Sequence, residues 1–409
     1  MRHLISLLFF ALPFAASAQV LTEAAALRLG LSISEVHTLE RGTRELAEAD
    51  SMAAALWPNP TLDYSRERMR GVPGASGVLA TVDETWQIAQ TFDISGRRGL
   101  RQEAAARRFD ATVASNSARR GELAAEILRR FHEVLRGQLG VRATETWAQR
   151  FTRIAAIVDK LARGGEASGY DRRRLAHERQ TAEARLTVER AALDRNRARL
   201  AALLGKPGMG DGEVVGTLLP PPLPALDTAL AALEQRPDLL MLSRRADAAD
   251  LERRAAARGW VPDITLGVGA KRSDNGIFQD NGAIVTLSIP LPLFDRQQAE
   301  EKRAAAAALN ARAEYGLARS RAAGEVRGLQ RQLEQLAQAA AAYRATAIAA
   351  SPELLRIAEA AYQGGESTVL ELLDAYRGAL EAELTALDLE WKAREARIDH
   401  DLLTGRITE

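Results

Sequence analysis

Glu371 and Asp374 stand three residues apart, the spacing that puts two side chains on one face of a helix. Carboxylates paired in this way attract cations, and a ring of them favours cations over anions wherever charge lines a passage. Asp171 and Glu371 have a plainer chemistry open to them. Each lies near the expected start of a helix, where a carboxylate complements the positive end of the helix dipole. Little else in the chain is reactive. The histidines are His3, His37, His132, His177 and His400, with no pair at i, i+3 or i, i+4, so no metal site is expected. Cysteine is absent, and no Ser-His-Asp set, nucleophile elbow or phosphate-binding loop can be found. Neither an enzyme nor a cofactor is expected.

The elements that must position these residues come in two copies. Arg163-Gly164-Gly165-Glu166-Ala167-Ser168 returns as Gln363-Gly364-Gly365-Glu366-Ser367-Thr368 at an offset of 200, and Leu203 and Gly205 return as Leu403 and Gly405. Pro58-Asn59-Pro60-Thr61-Leu62 returns as Pro262-Asp263-Ile264-Thr265-Leu266, offset by 204. The expected organisation is a signal peptide over 1–18, a first repeat over 19–216, a Pro-rich linker over 217–225 and a second repeat over 226–409. Each repeat reads as a short helix, a β-hairpin and two long helices.

Met1 to Ala18 carries Arg2, an apolar run from Leu4 to Phe14 and Ala16-Ser17-Ala18, the pattern of a cleaved secretory signal. Cleavage takes the formal charge from +1 to about 0, which gives no basic stripe for nucleic acid. Charged residues make up 27% and aromatics 5%, a profile of long helices with few bulky anchors. No later apolar run is long enough for a spanning helix, so any membrane passage must be made by strands.

From Gly74 to Lys206 there is no proline, and Ala, Arg, Leu and Glu dominate. A helix from about Arg98 to Ala162 would extend roughly 95 Å. Gly164 and Gly165 end it, and Ser168 or Asp171 starts the returning helix. In the second half Leu329, Leu333, Leu336, Ala340, Tyr343 and Ala347 alternate steps of four and three, the period of supercoiling helices. Gly364 and Gly365 make the matching turn, and Ser351-Pro352-Glu353 marks an upstream bend or restart.

Period-two alternation marks the strands: Leu62 and Tyr64; Val82, Trp86 and Ile88; Ile264, Leu266, Val268 and Ala270; and Ala283 through Leu291. Arg66 and Glu84 interrupt the apolar face of the first hairpin. Arg70 to Ala80 and Arg272 to Gly282 read as exposed loops. Pro58, Pro60, Pro262, Pro290 and Pro292 stand at strand boundaries, where a missing N–H does least harm. Strands of about ten residues suit a tilted membrane crossing. Four of them cannot close a barrel in lipid, so the chain must oligomerise; three copies give twelve.

These hairpins, paired long helices, proline marks and glycine turns resemble the TolC-type outer-membrane efflux channels over the whole mature chain. Gln90-Thr91-Phe92-Asp93-Ile94-Ser95-Gly96-Arg97-Arg98 and Ile289-Pro290-Leu291-Pro292-Leu293-Phe294-Asp295-Arg296 look most like the CzcC-like heavy-metal branch. The resemblance implies a mainly α fold with a small β part, and a homotrimer with a twelve-stranded barrel in outer-membrane lipid. It further implies a long helical barrel in the periplasm of a Gram-negative bacterium, docked to a periplasmic adaptor and an inner-membrane RND-type pump. On that resemblance the periplasmic tip and pore constriction would hold Asp171, Tyr362, Glu371 and Asp374. Gly164, Gly165, Ser168, Gly364, Gly365 and Ser367 would form the tip turns that meet the adaptor. Family gates use a tyrosine and a basic residue clasping an acidic neighbour; Tyr362 and Asp171 match two of these, but Ser367 holds the basic position. Arg97, Arg98 and Arg296 are expected as anchors at the inner membrane interface. The expected function is a passive exit duct for divalent metal cations. The rivals are the same duct serving drugs or secreted peptides, and a soluble periplasmic coiled-coil scaffold.

Overall fold

The computed structural model describes residues 20–69, 80–165, 167–207 and 212–407. The expected signal peptide, nearly all of the expected loop from Arg70 to Ala80, and Glu166 lie outside them. In chain order the elements are β1 (Leu21–Thr22), α1 (Glu23–Leu31), α2 (Ser34–Ala55), β2 (Thr61–Met69), β3 (Thr81–Phe92), α3 (Arg97–Arg163) and α4 (Gly169–Leu203). There follow β4 (Val214–Val215), α5 (Leu226–Ala232), α6 (Pro237–Ala257), β5 (Ile264–Asp274), β6 (Gln279–Ser288) and α7 (Gln298–Tyr343). A π-helical turn (Arg344–Ile348), α8 (Ala349–Gln363) and α9 (Val369–Leu403) complete the chain.

The chain divides into two compact units, one of Met1–His37, Arg119–Leu233 and Ala323–Glu409, the other of Thr38–Ala118 and Glu234–Ala322. In the first, Phe131, Ile127 and Val134 of α3 pack with Leu200 and Leu204 from the end of α4, Leu31 of α1 and Leu387 of α9. Gly30 makes room there: a Cβ would fall 2.4 Å from Ile127 Cδ1. The parallel pair β1–β4 sets Leu21 opposite Val214, and buried Gln138 bonds both the N–H and the carbonyl of Val214, at 3.0 and 3.2 Å. The Pro-rich linker is held in the same way. Arg394 donates to the carbonyls of Thr217, Leu218 and Leu219, and Arg397 to those of Pro221 and Pro222. Prolines leave carbonyls without a ladder of their own, and arginine forks supply the donors.

In the second unit the strands form one antiparallel sheet in the order β2-β3-β5-β6. Asp93 turns β3 into α3: its carboxylate accepts from the Ser95 hydroxyl and N–H and from Arg98 N–H, while Gly96 takes φ +69°. Asp295 does the corresponding work after β6, accepting from Gln297 N–H, but there the left-handed residue is Gln297 itself, at φ 61°.

Three expectations are corrected. The fourth strand stops at Ser288 rather than Leu291, because Pro290 has no N–H to give a ladder. The expected loop from Arg272 to Gly282 shrinks to residues 275–278, where Asn275 Oδ1 accepts from Ile277 and Phe278 N–H and Gly276 takes φ +83°. The second ascending helix does not restart at Ser351. It widens into the π turn at 344–348 and carries Pro352 inside α8. That extra residue per turn relieves the ladder just before a proline that could not join it.

Candidate functional site

Two regions carry the residues of interest, one in each unit. In the sheet, register sorts the side chains onto two faces. Leu62 lies opposite Ile88, Ile88 opposite Val268, and Val268 opposite Val285. In the next row Tyr64 lies opposite Trp86, their ring centroids 4.3 Å apart. Leu266 and Leu287 form a row on the other side, and Phe92 stands opposite Ile264 beyond it. These large apolar side chains, half-buried Ile264 excepted, are on the protomer surface. Gln90, the polar member of this face, donates to the carbonyls of Pro58 and Thr91.

The ends of this band are aromatic. Tyr64 and Trp86 mark one end; at the other, Trp57 meets Phe92 edge-on at 6.2 Å and Arg98 stacks 4.2 Å over Trp57. Trp86 and Phe92 are six residues apart in β3, about 20 Å. An apolar band about 25 Å tall between aromatic girdles is what a membrane-spanning barrel strand presents to lipid. Arg66 and Glu84, which interrupted the sequence pattern, are cross-strand partners 3.4 Å apart just beyond the Tyr64–Trp86 row.

The opposite face is polar. Gln87 donates to Thr286 Oγ1 at 2.6 Å across Gly267, where a Cβ would fall 2.2 Å from the Gln87 amide. Asp83 takes a hydrogen bond from Ser273 and an ion pair from Lys271. Among the described residues, the outer edges of β2 and β6 have no strand neighbour. Pro58 and Pro60 precede β2, Pro262 precedes β5, and Pro290 and Pro292 follow β6. Arg97 is not free to snorkel: it pairs with Asp263 at 2.8 Å and bonds Ser95. Arg296 engages Gln298 through its backbone N–H.

The tip belongs to the other unit. Gly165 and Gly365 take φ +82° and +73°, and the N–H groups of Gly164 and Gly364 bond the carbonyls of Lys160 and Ala360. Each returning helix opens with a reciprocal capping box. Ser168 Oγ accepts from Asp171 N–H while Asp171 accepts from Ser168 N–H; Thr368 Oγ1 accepts from Glu371 N–H while Glu371 accepts from Thr368 N–H at 2.7 Å. The bond from the Thr368 N–H, then that from its hydroxyl, holds the Glu371 carboxyl below its ordinary range. The cap matching Ser168 is thus Thr368; the Ser367 hydroxyl is buried with no hydrogen-bond partner. Glu371 and Asp374 are both exposed on α9. Tyr362 is buried among Leu372, Leu373 and Val158; burial and then the Asp171 carboxylate raise its hydroxyl above the ordinary value.

Local sequence pattern does not single out the ties behind the tip. Tyr376 donates to Glu359 at 2.6 Å, joining α8 to α9. Buried Glu178 of α4 takes Arg174 at 3.2 Å and Arg377 of α9. Arg344, in the π turn, reaches Glu390 at 2.6 Å and Glu383 at 3.6 Å. The 199-residue step from Glu178 to Arg377 nearly matches the repeat offset, the one signal that could have paired them. Among the described residues no group of three His, Asp or Glu could hold a metal ion, and no helix is long and apolar enough to cross a membrane.

This fold is that of outer-membrane channels of the TolC type. Outer membrane protein VceC of Vibrio cholerae superposes with a TM-score of 0.78 at 19% identity, over 94% of this chain and 96% of that one. CusC, described through its transmembrane channel formation, gives 0.77 at 19% identity over 93% and 91%. Residues 230–406 match the family model for outer membrane efflux proteins, and the chain is similar to that family over this stretch. It is 28% identical over 386 residues to the cobalt-zinc-cadmium resistance protein CzcC of Cupriavidus metallidurans, covering 92% of this chain and 89% of that protein. Nickel-cobalt-cadmium resistance protein NccC of Alcaligenes xylosoxydans xylosoxydans is 26% identical over 277 residues, 66% of this chain and 61% of its own.

Proposed function

We propose that this protein is the outer-membrane channel of a heavy-metal efflux assembly, a passive trimeric conduit that lets divalent cations out of a Gram-negative cell. The observation that carries this reading is the sheet: an apolar face bounded by aromatics, a polar face behind it, and two strand edges left without partners. Unpaired edges are untenable in hydrocarbon, and the smallest barrels have about eight strands, so copies must close the cylinder together. Three copies supply twelve strands. The relatives' names, which specify cobalt, zinc, cadmium and nickel, support the choice of cargo.

The conduit does no chemistry of its own. Energy would come from an inner-membrane pump of the RND type, reached through a periplasmic adaptor that seats on the turns at Gly164, Gly165, Gly364 and Gly365. In the trimer Glu371 and Asp374 would contribute six carboxylates around the tip opening, drawing cations in without holding them. Deleting the gene should remove resistance to divalent cobalt, zinc, cadmium or nickel and leave drug tolerance unchanged; the reverse outcome favours a drug channel. Glu371→Gln with Asp374→Asn keeps the capping geometry and should lower single-channel cation selectivity. Unchanged selectivity would remove these two residues from the pore.

A further inference from the structure

The two open edges of the sheet have backbone phases that its ladders fix. Asn275 N–H bonds the Phe278 carbonyl at 3.3 Å, so the β5–β6 hairpin closes on a hydrogen-bonded pair. From there the registers of all three ladders run without a bulge. Even residues of β2 and odd residues of β6 therefore aim N–H and C=O out of the two edges. The same residues carry the exposed apolar side chains, Leu62 and Tyr64 on one edge and Leu287 on the other. Carried past Ser288, this phase turns the missing N–H of Pro290 toward β5, while Ile289 and Leu291 still present theirs outward.

Closing a cylinder limits how the edges can meet. With β6 of one copy antiparallel to β2 of the next, four strands about 4.8 Å apart and tilted by about 35 to 45° step about four to six residues per copy. The step must be even, since an odd one would turn the apolar side chains of the next copy to the polar face. A step toward the start of β2 would set Pro58 and Pro60, which have no N–H, against the body of β6. A step of about six the other way would give the Leu62 N–H to the Leu291 carbonyl, which the Leu293 N–H already occupies at 2.9 Å. A step of about four pairs Leu62 with Ile289 and Tyr64 with Leu287, and sets Leu291 against Pro60. There the Leu291 N–H meets the Pro60 carbonyl, and the donor that Pro60 lacks is one that the Leu291 carbonyl does not need.

We infer that the seam between copies runs in this register: in the assembly β6 extends through Ile289 and Leu291, beyond its end in the single chain, and pairs them with Leu62 and Pro60 of the next copy. Resting on the trimeric reading above, the seam adds which residues meet. The partner is a second copy because the two edges match in phase, in apolar face and in the placing of their prolines. Ile289, Leu291 and Leu62, 41%, 72% and 67% exposed in the single chain, are what the seam covers or passes to lipid.

The chain has no cysteine, so engineered pairs report without background. Paired Cα atoms would lie about 5.5 Å apart, within reach of a disulfide. Leu62→Cys with Ile289→Cys, oxidised in the purified full chain in detergent, should carry most of the protein into a reductant-sensitive covalent trimer on denaturing gels. Tyr64→Cys with Leu287→Cys reads the same register if the first pair folds poorly. Leu62→Cys with Val285→Cys, and Leu62→Cys with Leu291→Cys, are displaced by at least about 7 Å along the strand and should link at least about tenfold less. Native mass spectrometry of the unaltered chain separates the two claims. A monomer overturns the trimeric reading and the seam with it. A trimer that links through a displaced pair, or through neither matched pair while heat-modifiability shows a folded barrel, overturns the seam alone.

Discussion

Val268 and Val285 face each other on the sheet and are 62% and 77% exposed, whereas Leu372 and Leu373 at the tip are 0% and 1% exposed. The two regions draw on the same residue types and dispose them in opposite ways. At the tip, four helices turn their apolar stripes toward one another, leave most charge outside and pair buried Glu178 with Arg174 and Arg377, so the protomer satisfies itself. The sheet puts its large apolar residues on one exposed face and its polar groups on the other, an arrangement that is stable only where the apolar face meets apolar surroundings. Exposed apolar surface is thus a defect in one region and the working surface of the other.

The comparison can be broken at several places. Phe151→Ala, at the centre of the tip cluster, should cost about 4 kcal/mol in a denaturant titration, since it deletes a fully buried ring and leaves a cavity. Val268→Arg should cost about 2 to 4 kcal/mol per copy in lipid, but Thr286→Arg on the polar face about 1 or less, read from heat-modifiability of the folded barrel. Equal costs would mean that the exposed face does not meet lipid.

His132 provides a pH handle in the helical unit. It is fully enclosed, its Nε2 lies 3.2 Å from Glu23, and burial, opposed by that bond, holds the ring below its ordinary value of 6.5. A lowered histidine contributes stability that is complete above the ordinary value and is lost as pH falls through it. The Glu23 carboxyl is also lowered, chiefly by the bond to His132, so its contribution is lost at still lower pH. The melting temperature should therefore drop as pH falls below about 6.5, and His132→Gln should flatten the profile.

Thr368→Ala should cost about 1 kcal/mol by removing one cap, and Ser168→Ala a similar amount, measured by thermal unfolding. Smallest and of opposite sign, Gln297→Gly should stabilise by about 0.5 kcal/mol, because it relieves a left-handed residue where Gly96 serves in the turn after the first hairpin.

Much of this was legible in order of residues. Ser168 with Asp171, and Thr368 with Glu371, spell capping boxes three residues apart, and Gly165 and Gly365, both at positive φ, stand where a helix must end. Alternation located the strands, though Arg66 and Glu84 looked like errors until register made them partners. The outcome for Arg97 was different: a charged residue next to an expected membrane boundary reads as an anchor, and only the fold brings Asp263 to it.

The sequence by itself determined the local matters: the helices, the turns, the strand faces and the recurrence of both halves, because propensity, capping and periodicity act over a few residues. Tertiary structure alone decided which distant groups meet. Arg344 finds Glu383 and Glu390, and Arg394 finds the carbonyls of the linker. Such pairings depend on the relative rotation and stagger of long helices, which packing sets and which no short window of residues encodes.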